Sequence, residues 1–189
     1  MTGQISPDGP NLATASADKS VKLWSLNPEL EFQKSVSLNS HEDTVNAVEF
    51  HPMGVHVASG SHDKTWRFWD IERKKELLVQ EGHSGAIYSL AFQQDGSLLA
   101  SGDLHGVGLI WDLRSGKNIL QFPAHKKSII SMQFLPNGFQ LATASDDNSV
   151  KIWDLRKKSN VQIVAAHNKL VSDVKFSNDG SFMLTSSYD

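Results

Sequence analysis

The chain has 189 residues, with 18 Lys and Arg against 21 Asp and Glu and a net charge of −3. This excludes a protein that holds nucleic acid through overall charge and leaves only local basic patches open. Cysteine is absent, which removes disulfide frameworks, thiolate zinc sites, iron–sulfur ligation and cysteine nucleophiles together.

The opening residues Met1–Thr2–Gly3–Gln4 lack the basic and apolar regions of a secretory signal, so an intracellular protein is expected. Residues 1–40 carry the turn signal "SPDG", then Gly9, Thr14, Asp18 and Trp24, with Ser25 after the tryptophan. The next segment, "SLNPELEF", is acidic and holds a three-residue insertion.

From His41 onward the same offsets recur with a period of 42 residues, at His41, His83, His125 and His167. Each histidine is followed at +13 by a turn glycine (Gly54, Gly96, Gly138, Gly180) and at +18 by Ser59, Ser101, Thr143 or Thr185. At +22 stand Asp63, Asp147 and Asp189, with His105 breaking the rule in the second unit. At +28 stand Trp69, Trp111 and Trp153, followed by Asp70, Asp112 and Asp154. Between these markers, runs such as "TVNAVEF", "HVASGS" and "KTWRFWD" alternate with period two, and "QQDG", "LPNG" and "SNDG" mark turns. The pattern predicts an all-β chain of four short strands per repeat, with little or no helix. The longest uncharged stretch, 128–145, contains two Gln, Pro136, Asn137 and Gly138, so it reads as two strands and a turn and not a membrane span.

His41, Ser59 and Asp63 are the residue types of a hydrolase triad. The set recurs, however, as His125, Thr143 and Asp147 and again as His167, Thr185 and Asp189, and repetition points to structure. His51, His56 and His62 are candidate metal ligands by type only, since no carboxylate partner repeats near them. No phosphate loop or dinucleotide fingerprint is present, because "SGDLHGVG" has no following helix. No catalytic residue, cofactor, metal or small-molecule substrate is expected.

Surface charge follows the repeat. The segments after each Trp-Asp are basic: Arg73, Lys74 and Lys75, then Arg114 and Lys117, then Arg156, Lys157 and Lys158. They read as solvated, aggregation-blocking charge, or else as contacts to an acidic protein surface or an RNA backbone. The segments after each histidine differ in chemistry: Glu42 and Asp43, Ser84 and Gly85, Lys126 and Lys127, Asn168 and Lys169. Unlike chemistry from repeat to repeat suits a specific protein contact.

A 42-residue unit with histidine before the first strand and Trp-Asp closing the third resembles the WD-repeat family. The resemblance covers essentially the whole chain, and "GHSGAIYSLAFQQDGSLLASG" is close to the family pattern as it stands. It implies a WD-repeat β-propeller in which the histidine bridges the strand Ser/Thr and the turn Asp beside the tryptophan. The residues expected to build that network are His41, Ser59, Asp63, Trp69, His83, Ser101, Trp111, His125, Thr143, Asp147, Trp153, His167, Thr185 and Asp189. His105 places the bonding of its own repeat in doubt.

The expected organisation is one propeller segment over 1–189, about 4.5 blades. It comprises a partial blade over 1–40, complete repeats at about 41–82, 83–124 and 125–166, and a partial repeat over 167–189. Family propellers close with more blades than this, so the chain reads as a fragment with uncapped edges, marginally stable by itself.

Within the family the likeness is to the WD-repeat subunits of the spliceosomal U4/U6 small nuclear ribonucleoprotein. It is carried by "DKTWRFWDIE", by Trp66 where other repeats have Val21 or Val150, by Gly108 at the equivalent place in the next repeat, and by "AAHNKLVSDVKF". This implies a nuclear, non-catalytic scaffold in pre-mRNA splicing. Its partners would be pre-mRNA processing factor three and a cyclophilin, with U4/U6 small nuclear RNA touched indirectly and no membrane contact. The alternatives are another WD-repeat adaptor, of the ubiquitin-ligase substrate receptor or chromatin-associated type, and a propeller that binds RNA directly.

Overall fold

The computed structural model describes residues 2–9, 11–26, 32–165 and 167–189. Among them every regular element is a strand, eighteen in all. The chain divides into two compact units, 1–87 and 88–189.

In the first unit, β1 (Gly3–Ile5), β2 (Asn11–Ala15), β3 (Ser20–Leu26) and β4 (Phe32–Asn39) form one antiparallel sheet in that order. A second sheet follows with β5 (Val45–Phe50), β6 (His56–Ser61), β7 (Trp66–Asp70) and β8 (Lys75–Gln80). The reading of 1–40 as a partial blade is corrected in strand count, since this sheet has four strands. Its β1 is only three residues long, too short for an alternating pattern to announce it. Residues 27–31 of the segment that holds the three-residue insertion lie outside the described residues.

Consecutive strands pair because turns of a few residues join them, which antiparallel neighbours permit and parallel ones do not. Alternation then sends one face of each sheet inward. Val21, Leu23 and Leu38 of the first sheet meet Val48, Phe50 and Val57 of the second, and Trp69 joins the same core. Polar side chains tie the first strands together. Thr2 Oγ1 accepts the Val48 N–H at 3.1 Å, and the Gln4 side-chain carbonyl accepts the Phe50 N–H.

The second unit repeats the design with β9 (Ile87–Phe92), β10 (Leu98–Asp103), β11 (Val107–Asp112) and β12 (Lys117–Pro123), followed by β13 (Ile129–Phe134), β14 (Gln140–Ser145), β15 (Val150–Asp154) and β16 (Ser159–Val164). The last sheet holds two strands, β17 (Val171–Phe176) and β18 (Met183–Ser187). Ile110 and Phe122 pack on Ile129, Met132 and Trp153, and Val150 and Ile152 pack on Val171 and Val174. The Ser89 hydroxyl donates to the Ile129 carbonyl at 3.2 Å, and the Gln133 side-chain carbonyl accepts the Phe176 N–H at 2.8 Å.

Each fourth strand is the solvent-facing one, most plainly β16, where five of six residues are exposed. The ladders between third and fourth strands shift register at Phe68/Trp69, Ile110/Trp111 and Ile152/Trp153. These bulges lie where the tryptophan side chains turn into the interior.

Candidate functional site: a repeated polar network beneath exposed turns

In the second sheet, Trp69 on β7 donates its indole N–H to Ser59 Oγ on β6 at 2.8 Å. Ser59 lies 2.7 Å from His41 Nε2, and His41 Nδ1 lies 2.7 Å from Asp63 Oδ2. One proton arrangement satisfies every atom: indole N–H to hydroxyl, hydroxyl to Nε2, and Nδ1–H to carboxylate. It requires a neutral imidazole with its proton on Nδ1, because an unprotonated Nδ1 would set its lone pair against the acceptor-only Asp63 carboxylate.

Burial is the main influence on His41 and lowers its pKa, outweighing the upward pull of Asp63. For Asp63, burial is again the largest influence and would raise the carboxyl. Hydrogen bonds from the Thr65 hydroxyl, His41 and the backbone N–H groups of Thr65 and Glu42 outweigh it and hold the group down to about 2.

The arrangement recurs. Trp153 Nε1 donates to Thr143 Oγ1 at 3.2 Å, which lies 2.7 Å from His125 Nε2, and His125 Nδ1 is 2.9 Å from Asp147. His167 stands 2.9 Å from Thr185 Oγ1 and 3.1 Å from Asp189. The last network is more open, its histidine side chain 19% exposed against 0% for His41 and His125, because its sheet has no third strand over it. In the first sheet Trp24 donates to Thr14 Oγ1 at 3.0 Å. In the third, Trp111 donates to Ser101 Oγ at 2.8 Å, and His83 is buried.

His105 does not leave its repeat without a carboxylate. Asp103, two residues earlier and fully buried, accepts the N–H groups of His105 and Val107 at 2.9 Å each. The other repeats have Ser61, Ser145 and Ser187 at that place. The carboxylate has moved from one turn position to another, a shift that a search for Asp at +22 passes over.

The triad-like geometry suits architecture. Ser59 and Thr143 are fully buried, and each hydroxyl already accepts an indole N–H. Neither has the open side that attack on a substrate carbonyl requires.

The aspartate of each Trp-Asp pair has a separate task. Asp70 accepts the Arg73 N–H at 2.8 Å, Asp112 that of Arg114 at 3.0 Å and Asp154 that of Arg156 at 2.9 Å, so each caps the turn between third and fourth strands. These turns expose Arg73, Lys74, Lys75, Arg114, Lys117, Arg156, Lys157 and Lys158. Part of that charge is internally engaged: Arg156 reaches Asp154 at 3.3 Å and lies over the Phe139 ring at 3.4 Å. Lys126, Lys127 and Lys169 are also exposed, and Lys127 pairs with Asp146 at 3.6 Å.

Comparison with known proteins agrees with this architecture. The family model described as the IFT122 first beta-propeller matches residues 3–189. The chain belongs to this family of WD-repeat β-propellers, here with about four and a half blades. Lissencephaly-1 homolog 1 of Paramecium tetraurelia is 38% identical over 79 residues, covering 40% of this chain and 18% of that protein. U4/U6 small nuclear ribonucleoprotein PRP4 of Saccharomyces cerevisiae is 49% identical over 45 residues, 24% of this chain and 10% of that protein. Protein HIRA of Dictyostelium discoideum is 33% identical over 84 residues, 39% of this chain and 8% of that protein. The chain thus spans less than a fifth of the length of each of these three relatives.

Proposed function

We propose that this chain is a non-catalytic protein-interaction scaffold of the nuclear U4/U6 small nuclear ribonucleoprotein, acting in pre-mRNA splicing. The observation that carries the reading is the 49% identity to PRP4 over 45 residues, higher than to the Lissencephaly-1 or HIRA relatives over their longer stretches. Its partners are proteins of that particle, pre-mRNA processing factor three and a cyclophilin, with the small nuclear RNAs held indirectly. Buried, mutually satisfied polar networks support the scaffold role, since they hold the turns rigid while leaving their side chains free to vary. Affinity purification of the tagged protein from nuclear extract, followed by mass spectrometry, is expected to recover those two partners. Recovery of other complexes without them would overturn the assignment.

A second reading is favoured by the wider coverage of Lissencephaly-1 homolog 1, 40% of the chain against 24% for PRP4. On that reading the chain is a WD-repeat adaptor of a different complex. Direct RNA binding draws less support, because Arg156 is committed to Asp154 and Phe139.

A further inference from the structure

The aspartates of the Trp-Asp pairs are covered differently from repeat to repeat. In the fourth sheet the Asp154 side chain is 4% exposed and takes Arg156 Nη2 at 3.3 Å, while the same guanidinium lies over Phe139. Beside it, Gln93 Nε2 donates to the Gly138 carbonyl at 2.5 Å. The chain's own guanidinium and amide therefore cover the cleft next to this aspartate.

In the second sheet, two repeats earlier, Asp70 stands for Asp154, Glu72 for Arg156, Val55 for Phe139 and Gly54 for Gly138. Counted from the turn glycines, Ser6 takes the place of Gln93. Both covering groups are thus missing from the second sheet's cleft. Among the described residues Asp70 meets the exposed Arg73, accepting its backbone N–H at 2.8 Å, with its Nε 3.9 Å away.

What remains is an open pocket of about 410 Å³ bordered by Asp8, Val55, His56, Asp70 and Glu72. Its described lining includes three carboxylates and no lysine or arginine. His56 adds no positive charge near neutral pH, because burial, and then neighbouring His51, lower its pKa. Its ring stacks on Phe68 at 5.0 Å, which holds a flat wall in place.

We infer that this pocket receives the arginine side chain of a partner protein, the guanidinium lying between Asp70 and Glu72 as that of Arg156 lies on Asp154. A planar guanidinium fits because it pairs with carboxylates through its edge and packs on apolar surface through its face. An adjoining hollow of about 200 Å³ shares Asn11 and Ile71 with the pocket and is lined by Leu23, Trp24 and Val36 together with Ser25, Lys34 and Lys74, so its wall is apolar on one part and cationic on another. An apolar residue next to the arginine packs on the apolar part.

The test uses the 189-residue chain carrying Leu184→Lys, which blunts the open edge strand β18, and the blocked peptide acetyl-Gly-Leu-Arg-Leu-Gly-amide, with a second peptide carrying citrulline, a neutral isostere, for arginine. Titration followed by NMR should shift the backbone amides of Val55 and Glu72, with the arginine peptide binding at least about ten-fold more tightly than the citrulline one. Glu72→Arg supplies the covering group from within and is expected to lower affinity by about ten-fold or more, with Glu72→Gln intermediate. Equal affinity for the two peptides, unchanged binding by folded Glu72→Arg, or shifts produced by Mg²⁺ and not by peptide would each overturn the inference. None of these outcomes depends on which complex the protein serves.

Discussion

The Ser59 hydroxyl stands 2.7 Å from His41 Nε2 and 2.8 Å from Trp69 Nε1, so one buried oxygen joins the segment before β5 to the strands β6 and β7. Ser59→Ala removes a donor and an acceptor at once and strands two buried nitrogens. A loss of about 2–3 kcal/mol is expected in urea unfolding. Ser59→Thr should stay within about 1 kcal/mol, because Thr14, Thr143 and Thr185 fill the same place in other repeats. A harmless alanine would show that the network does not contribute to stability.

Acid should weaken the fold in two stages. His41 and His125 have lowered pKa values in the folded chain, burial being the first cause of each. Below about pH 6.5 the unfolded chain therefore binds protons that the folded chain does not, and stability falls as pH drops. Asp63, held at about 2, contributes stability that is complete above its unfolded value of about 3.9 and is lost as pH falls toward the folded one. Urea midpoints measured near pH 7.5, 6 and 5 are expected to decline in that order. A flat profile would contradict the neutral, buried histidines.

Turn geometry gives opposite expectations at two positions. Gly106 has φ +76°, and a Cβ there would meet the His125 and Lys127 carbonyls, so Gly106→Ala should destabilise by about 2 kcal/mol or more. Lys74 has φ +53° in the turn where the third sheet has Gly116. Lys74→Gly should raise stability by up to about 1 kcal/mol, because the left-handed backbone disfavours a side chain. Thermal melts of both variants check the pair.

One edge is expected to be sticky. β18 pairs on one side only, and Leu184 is 72% exposed, with Phe182 and Tyr188 similarly open beside it. The isolated chain should self-associate as concentration rises, and Leu184→Lys should reduce this. A sharp, reversible melt of a monodisperse unmodified monomer would contradict it.

Much of this was legible in the sequence because the repeat fixes offsets. The period picks out His41, Ser59, Asp63 and Trp69 as recurring positions, and the family resemblance implies their contacts, which stand at 2.7–2.8 Å for His41 with Ser59 and Asp63 and for Trp69 with Ser59. Other features were not legible. β1 is three residues long and carries no periodic signal. The third sheet keeps its turn carboxylate at Asp103, two positions from where the template looks. The open pocket beside Asp70 arises from two separated changes, Ser6 in one sheet and Glu72 in the next, and only their packing makes them neighbours.

Neutralising Arg73, Lys74, Lys157 and Lys158 together tests how RNA is held. If the RNA association is indirect, affinity and its salt dependence should be unchanged. Direct binding would instead show a salt slope smaller by roughly one for each phosphate no longer neutralised.

The proposed role is tested most directly by purifying the tagged protein from nuclear extract of its source cells and probing the bound RNA. Co-enrichment of the U4 and U6 small nuclear RNAs, abolished in high salt or on depletion of companion proteins, is the expected result. Absence of both RNAs, with a ubiquitin ligase or chromatin complex recovered instead, would contradict the splicing assignment and leave the WD-repeat propeller standing.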